Sequence, residues 1–363
     1  MKYRGLLMRL GILVVTIFAI NIYSANPARV EDNYARGVYP LIGTVLRILF
    51  GWLPFSIGDI LYGLLFAWLL WKMVQGIRTL IKKKISWKSF TDGFIHKSLK
   101  VLTLFLILNI VFYGIWGINY KRRGIAAQLE LKIEKYSLQD LKDLNALLVQ
   151  KVNGAKTSLL RTTIAYPSNS RLFEKSREAY DSLAGTYPFL RYKHNSIKSS
   201  IWGSLCNYLG IGGYYIPFTG EAQVNTTMPK FLLPFTTCHE MAHQLGYAKE
   251  MEANFVGYMA AVASPDTLFH YSVYLDLLMY SNRNLFRTDS AAARSFGKEL
   301  IPEVKADIKE WRDFSLRHRN PAEPLFRWAY GKYLENNEQP QGMLSYDEVT
   351  GFLIAFYKKF GRI

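Results

Sequence analysis

Phe235-Thr-Thr-Cys-His239-Glu240-Met-Ala-His243-Gln-Leu-Gly246 carries two histidines four residues apart with a glutamate directly after the first. On an α-helix, positions i and i+4 share one face, one turn apart. Two imidazoles so placed can converge on one divalent cation, with Zn2+ the expected ion. Glu240 then points toward the open side of the site, where it can take a proton from water and pass it to a leaving amine. The local residues agree with a helix. Thr236 or Thr237 offers an N-cap, Met241, Ala242 and Leu245 are helix-compatible, and Gly246 is suited to end the helix. The pattern predicts His239 and His243 as metal ligands and Glu240 as the catalytic base.

A protein zinc site needs a third ligand. The chain continues Tyr247-Ala-Lys-Glu250-Met-Glu252-Ala-Asn254-Phe-Val-Gly-Tyr258. A metzincin would place His or Asp where Lys249 stands, so that class is excluded. Gly246 lets a second helix fold back beside the first, and that helix carries Glu250 and Glu252. Asn254 lies one turn beyond Glu250, where a short polar side chain can hydrogen-bond a ligating imidazole and fix its tautomer. Val256, one turn beyond Glu252, offers no such bond. Glu250 is the preferred third ligand and Glu252 the alternative.

Glu250-x-x-Ala253-Asn254 resembles the E-x-x-A-D/N segment of gluzincin metallopeptidases, in which the first glutamate binds zinc. The resemblance implies Glu250 as ligand. Four longer segments look like the bacterial family called domain of unknown function 3810. They are Pro54-Phe-Ser-Ile-Gly-Asp59, Pro217-Phe-Thr-Gly-Glu-Ala-Gln-Val-Asn225, the stretch from Leu233 to Gly246, and Glu250-x-Glu-Ala-Asn-Phe255. This likeness implies a zinc peptidase in a membrane and a gluzincin-like domain. It says little about the substrate.

The segment Thr219–Asn225 precedes the histidine stretch as the substrate-pairing strand does in gluzincin-like folds. It is either that strand, with Glu221 facing a substrate amine, or a turn with structural hydrogen bonds. An oxyanion donor is also wanted, and Tyr214, Tyr215, Tyr333 and Tyr346 are candidates by type. His96, His194, His270 and His318 have no ligand spacing and read as structural or surface residues.

From about residue 119 to 363 the chain has the composition of a globular domain, and helix signals dominate. Ser137 caps a helix through Val152 with Leu138, Leu141, Leu144 and Leu148 on one stripe. Further helices are expected at 170–184, 266–283, 289–318 and 323–336. Ser345-Tyr-Asp-Glu348 has capping-box spacing before a last helix reaching about Phe360. Strand signals are few, at Thr162–Tyr166 and Gly213–Ile216. The expected fold is α-rich α+β with a small sheet.

Residues 1–118 differ in kind. Apolar runs at about 6–23, 57–74 and 99–118 are each long enough to cross a bilayer. In the second, Asp59 and Lys72 are expected to reach the interface. The segment 38–55 is apolar but holds Pro40, Arg47 and Pro54, and reads as an interfacial or re-entrant helix rather than a fourth span. Arg78, Lys82, Lys83, Lys84, Lys88 and Lys97 lie between the second and third spans, opposed by Asp92. This places the loop in the cytoplasm and the large domain on the exterior or periplasmic side of the cytoplasmic membrane. Lys121, Arg122 and Arg123 follow the third span and run against that orientation.

The net charge of +17 is met by these flanking cations and by a preference for an anionic membrane surface. No nucleic-acid module is visible, and nucleic acid is not an expected partner. The two cysteines, Cys206 and Cys238, form no disulfide framework; they are one bridge or two buried thiols. The function expected is a membrane-anchored, zinc-dependent peptidase acting on a peptide or protein substrate. The alternative is a non-catalytic receptor or scaffold that keeps zinc for structure, in which Glu240 is dispensable.

Overall fold

The structure, a computed structural model, describes residues 4–82, 87–162 and 165–363, with the side chains of 80–94 left aside. Among these, three helices are long and apolar enough to cross a membrane. They are Arg4–Ser24, Ile57–Thr79 and Ile95–Ile115. The first and third pack against each other. The second stands apart, and every residue from 64 to 79 is exposed. The third run stops at Ile115 rather than at 118, because Gly117–Lys121 tightens into a buried 3-10 turn. Trp116, Ile118 and Tyr120 there fill a small core with Val30, Tyr34 and Tyr39. Lys83 and Lys84 of the basic loop lie outside the described residues, as do the side chains of Lys82, Lys88 and Asp92.

Asn26 caps a short helix, Pro27–Arg29, which runs on as a π-helical stretch, Val30–Val38, and then as Tyr39–Phe50. Tyr39–Phe50 is too short to cross a bilayer, at about 1.5 Å per residue. Its amphipathicity is inverted. Tyr39, Gly43 and Arg47 are buried, while Leu41, Val45 and Leu49 face outward. That is the pattern of a helix lying at a lipid interface.

The inner face of this segment is bound into the large domain. Arg47 donates through Nη1 to the Gln244 carbonyl at 2.8 Å and through Nε to the Lys193 carbonyl at 3.1 Å. The Tyr39 hydroxyl donates to the Gln244 carbonyl at 2.8 Å. Arg122 forks onto Glu31 at 2.8 and 3.0 Å, both side chains buried. Charge-assisted, two-pronged bonds of this kind are the strong ones. Arg122 is thus consumed inside the fold and is not a free flanking cation.

The domain is helix-rich, with one small mixed sheet. Leu138–Leu160 starts with a full capping box from Ser137 and Asp140 and packs along Thr267–Thr288. Leu144, Leu148 and Val152 are buried in the main core with Leu172 and Tyr180 from Asn169–Thr186. Each fully buried Leu or Val contributes about 1.5–3 kcal/mol. The expected helix at 289–318 is two helices, Ser290–Glu299 and Pro302–Arg317. Pro302 cannot donate a helical bond and starts the second. The expected capping box at Ser345 does not form. Gly342–Tyr346 is a 3-10 turn, the last helix is Val349–Phe360, and the Ser345 hydroxyl has no partner among the described residues. At Thr162–Tyr166, Thr163 and Ile164 lie outside the described residues, and the flanking Thr162, Ala165 and Tyr166 form no strand.

The sheet has strands β1 (Ile197–Ser199), β2 (Gly213–Ile216) and β3 (Glu221–Val224) in the order β1-β3-β2. β3 runs parallel to β1 and antiparallel to β2. Its position corrects the expectation for Thr219–Asn225. A central strand paired on both edges cannot take a substrate strand. Glu221 is fully buried and pairs with Lys198 at 2.9 Å. It also accepts from the backbone N–H of Ile57 and Gly58, at 3.2 and 2.7 Å. A carboxylate at a helix N-terminus is favoured by the helix dipole, so Glu221 fastens the second apolar helix to the sheet. Asp59 likewise does not reach water. It is buried and accepts from the Ile201 N–H at 2.8 Å and the Tyr214 hydroxyl at 2.7 Å.

Candidate metal centre

His239, Glu240 and His243 lie on the helix Leu233–Gln244, which is buried except at Thr236. Pro234 opens it in the first turn, where its missing N–H costs nothing. Thr236 and Thr237 are not its caps. Their hydroxyls donate back to the carbonyls of Leu232 and Leu233, at 3.0 and 2.7 Å. The helix ends at Gly246, whose φ of +86° suits a residue without a side chain. The chain then turns back into Glu250–Ala263. The two helices run close together. A Cβ on Gly257 would lie 3.1 Å from the backbone nitrogen of His239.

This turn brings Glu250 onto both imidazoles. Nε2 of His239 lies 3.1 Å from Nε2 of His243, and Oε2 of Glu250 lies 3.3 and 3.5 Å from them. A tetrahedral zinc with bonds of about 2.0–2.1 Å sets its ligand atoms about 3.3 Å apart. The three atoms already stand at that spacing, on residues that are all buried. The chemistry of the donor set also fits. His243 Nδ1 meets the Tyr247 carbonyl at 2.8 Å, which assigns the proton to Nδ1 and leaves the Nε2 lone pair facing the other two ligands. Glu250 Oε2 and His239 Nδ1 have no hydrogen-bond partner among the described residues.

Glu250 draws positive charge to the site, and without a cation His243 supplies it as a proton. Burial acts to raise the Glu250 carboxyl, but the two imidazoles outweigh it and hold that group well below the ordinary range. Burial pushes His239 toward its neutral form. Burial acts the same way on His243, yet Glu250, Glu240 and the Tyr247 carbonyl carry it up to about 9, so without a cation its Nε2 also holds a proton that a bound cation would displace. Glu240 sits beside them with 3 % of its surface exposed and one unpartnered oxygen. Burial pushes its carboxyl up to about 8, with the charge of Glu250 adding and His243 opposing.

Glu240 is held there by the absence of a side chain opposite it. A Cβ on Gly213, the first residue of β2, would fall 2.5 Å from Glu240 Oε1 and 2.8 Å from the Gln223 carbonyl. The edge strand β2 therefore ends at the candidate base. Its outer side pairs with no strand among the described residues.

The remaining expected site residues divide. Asn254 is buried beside His239 and favours the charged form of that ring, but its amide donates to the Tyr346 carbonyl at 3.2 Å. Glu252 is not at the triangle. It points toward Gly124 near Arg122 and Glu31, and burial pushes its carboxyl up. Tyr346 stacks on His239 with ring centroids 6.3 Å apart. Tyr333 bonds Tyr120 at 3.0 Å, Tyr214 serves Asp59 and Ser200, and Tyr215 packs on Trp116. Tyr330 was not among the expected residues. Its hydroxyl donates to Glu250 Oε1 at 2.9 Å, and among 24 tyrosines no spacing to the histidine motif marks it. Cys206 and Cys238 are separate buried thiols, and burial pushes them up to about 11 and about 12.

Fold and site together define a helix-rich protein with three apolar N-terminal helices and a buried His-His-Glu cluster able to hold a metal ion. The chain belongs to the family described as protein of unknown function (DUF3810), whose model matches residues 34–354. No curated protein and no solved structure matches it. The family match includes the second and third apolar helices as well as the helices that carry His239, His243 and Glu250.

Proposed function

We propose that the chain is a zinc-dependent peptidase, gluzincin-like in its site, anchored in the cytoplasmic membrane with its large domain on the outer side. The observation that carries this reading is the triangle of His239, His243 and Glu250 with Glu240 buried next to it. His239 and His243 would hold the ion through Nε2 and Glu250 through Oε2. A bound divalent cation there supplies Lewis acidity toward a carbonyl and toward water. Glu240 is the base that takes a proton from the attacking water and delivers it to the departing amine. Burial of Glu240 lowers the local dielectric, which strengthens the charge interactions around it.

A peptide, rather than another acyl substrate, is favoured by β2. Its outer edge, paired with no strand among the described residues, leads to Gly213 beside Glu240, and an extended chain can add to such an edge through backbone hydrogen bonds. Outward placement of the domain is supported by the basic residues between the second and third apolar helices. The pairing of Arg122 with Glu31 removes one of the three cations that argued against it.

The test is hydrolysis of a peptide library by the full chain in detergent. Glu240→Gln should lose activity by roughly 10²–10⁴-fold while keeping its metal. Equal activity in wild type and variant would refute the proposed role, and no cleavage by either would favour a structural metal site.

A further inference from the structure

We propose that two helices of the large domain, Gly203–Leu209 and Ala322–Asn336, are seated in the lipid layer, so that the His-His-Glu site lies one helix away from the bilayer. The second of these forms a roof over the site, because its Tyr330 reaches Glu250.

The first half of the roof helix is apolar on the wrong side for a helix in water, and further along that face Lys332 and Glu335 pair with each other. Its buried residues are Gly331 and Leu334, while Leu325 and Trp328 are 67 % and 63 % exposed. These two are three residues apart and share a face. On Gly203–Leu209, Leu205 is 55 % exposed, and Trp202 and Tyr208 on its flanks also face outward. The two helices are in contact, and exposed large apolar side chains grouped in this way mark an interaction site.

The position of these helices identifies what covers them. Trp202 packs edge-on against Gly63, its ring 2.7 Å from where a Cβ would be, and donates Nε1 to the Asp59 carbonyl at 3.1 Å. Gly63 is about 9 Å along the second apolar helix from its start, at about 1.5 Å per residue. At the other end, the Tyr113 hydroxyl of the third apolar helix donates to Asn337 Oδ1 at 3.0 Å. Asn320, just before the roof helix, donates to the Tyr208 carbonyl at 2.6 Å and joins the two helices. They therefore form a strap between the second and third apolar helices, level with residues of both. Below it, residues 64–79 of the second helix are all exposed. Lipid that surrounds that helix reaches the strap without a break. Trp and Tyr on the strap are the residues that favour the bilayer interface, and the Lys332 ammonium on the same helix is paired with Glu335 at 2.6 Å.

If the peptidase reading holds, the substrate is a polypeptide presented at the membrane surface and reaches the site from the side. That consequence rests on the proposed function; the lipid seat itself does not, and its test uses no activity.

The full chain is placed in phosphatidylcholine–phosphatidylglycerol vesicles with a nitroxide on Leu205→Cys, Leu325→Cys or Trp328→Cys. The unsubstituted chain, whose cysteines are buried, serves as blank. Leu69→Cys on the second apolar helix and Lys309→Cys on Pro302–Arg317 are the lipid and water references. Oxygen should collide more often than a water-soluble nickel chelate at the three strap positions, as at Leu69, with the ratio inverted at Lys309. A water-like ratio at the strap overturns the proposal. So does shielding from both reagents, which would mean a protein partner or a second copy. Should a cysteine variant not fold, a hydrophobic diazirine photoreagent applied to the unmodified chain in vesicles decides. Labelled peptides from 201–209 and 322–336 support the seat, and label confined to the three apolar helices overturns it.

Discussion

Tyr330 donates its hydroxyl hydrogen to Oε1 of Glu250 at 2.9 Å, which leaves Oε2 facing the two imidazoles. A partner on the non-ligating oxygen fixes which oxygen faces a metal and how the carboxylate is turned. Tyr330→Phe removes the bond and little else. It should bind Zn2+ roughly 10–100-fold more weakly, read by competition against a chromophoric chelator. Unchanged affinity would mean that the helix alone orients Glu250.

Gly213 and Glu240 form a second such relationship. A methyl at Gly213 would collide both with the glutamate and with the Gln223 carbonyl, and the latter is backbone that cannot swing aside. Gly213→Ala should lower stability by about 1–3 kcal/mol, the usual cost of overpacking. Under the proposed peptidase reading it should also reduce hydrolysis more than tenfold with the metal still bound, because the displaced group is Glu240, the proposed base, and not one of the three candidate ligands. Loss of metal with retained activity per bound ion would contradict this placement.

What the sequence disclosed and what it concealed follow from the range of the interactions concerned. The histidine helix and its return were legible because their determinants are local. His239 and His243 differ by one turn, Gly246 breaks the helix, and Glu250 starts the next. The apolar helices were legible from length and composition. The roles of Glu221 and Asp59 were not. Each is decided by a partner far along the chain, Lys198 with the Ile57 and Gly58 amides for one and Tyr214 for the other. Glu31 and Arg122 form a buried pair that joins segments 91 residues apart. Arg122 read as a flanking cation because nothing near it in sequence neutralises it. Tyr330 was invisible for the same reason, since it lies 80 residues from Glu250. Helix starts were missed at Thr236 and Ser345, where a good capping residue stands near the boundary but a Pro or a 3-10 turn sets it.

Asp276 provides a pH test outside the site. It is buried on Thr267–Thr288, and burial pushes its carboxyl up to about 7 from an ordinary 3.8, with Arg283 opposing. Between those values the folded chain binds the proton that the unfolded chain has released. Its contribution to stability is therefore full below about pH 4, lost as the pH rises to about 7, and flat above. Asp276→Asn should remove that loss. Its thermal midpoint in detergent should match wild type near pH 4 and exceed it above pH 7, by a difference worth roughly 2–4 kcal/mol. Parallel curves for the two proteins would place the titration elsewhere.

The most direct measurement is the metal content of the full chain purified in detergent, wild type against His239→Ala, by elemental analysis after removal of loosely held ions. The arrangement of His239, His243 and Glu250 predicts one zinc per chain in wild type and none in the variant. Zinc absent from wild type, or present equally in both, would contradict it.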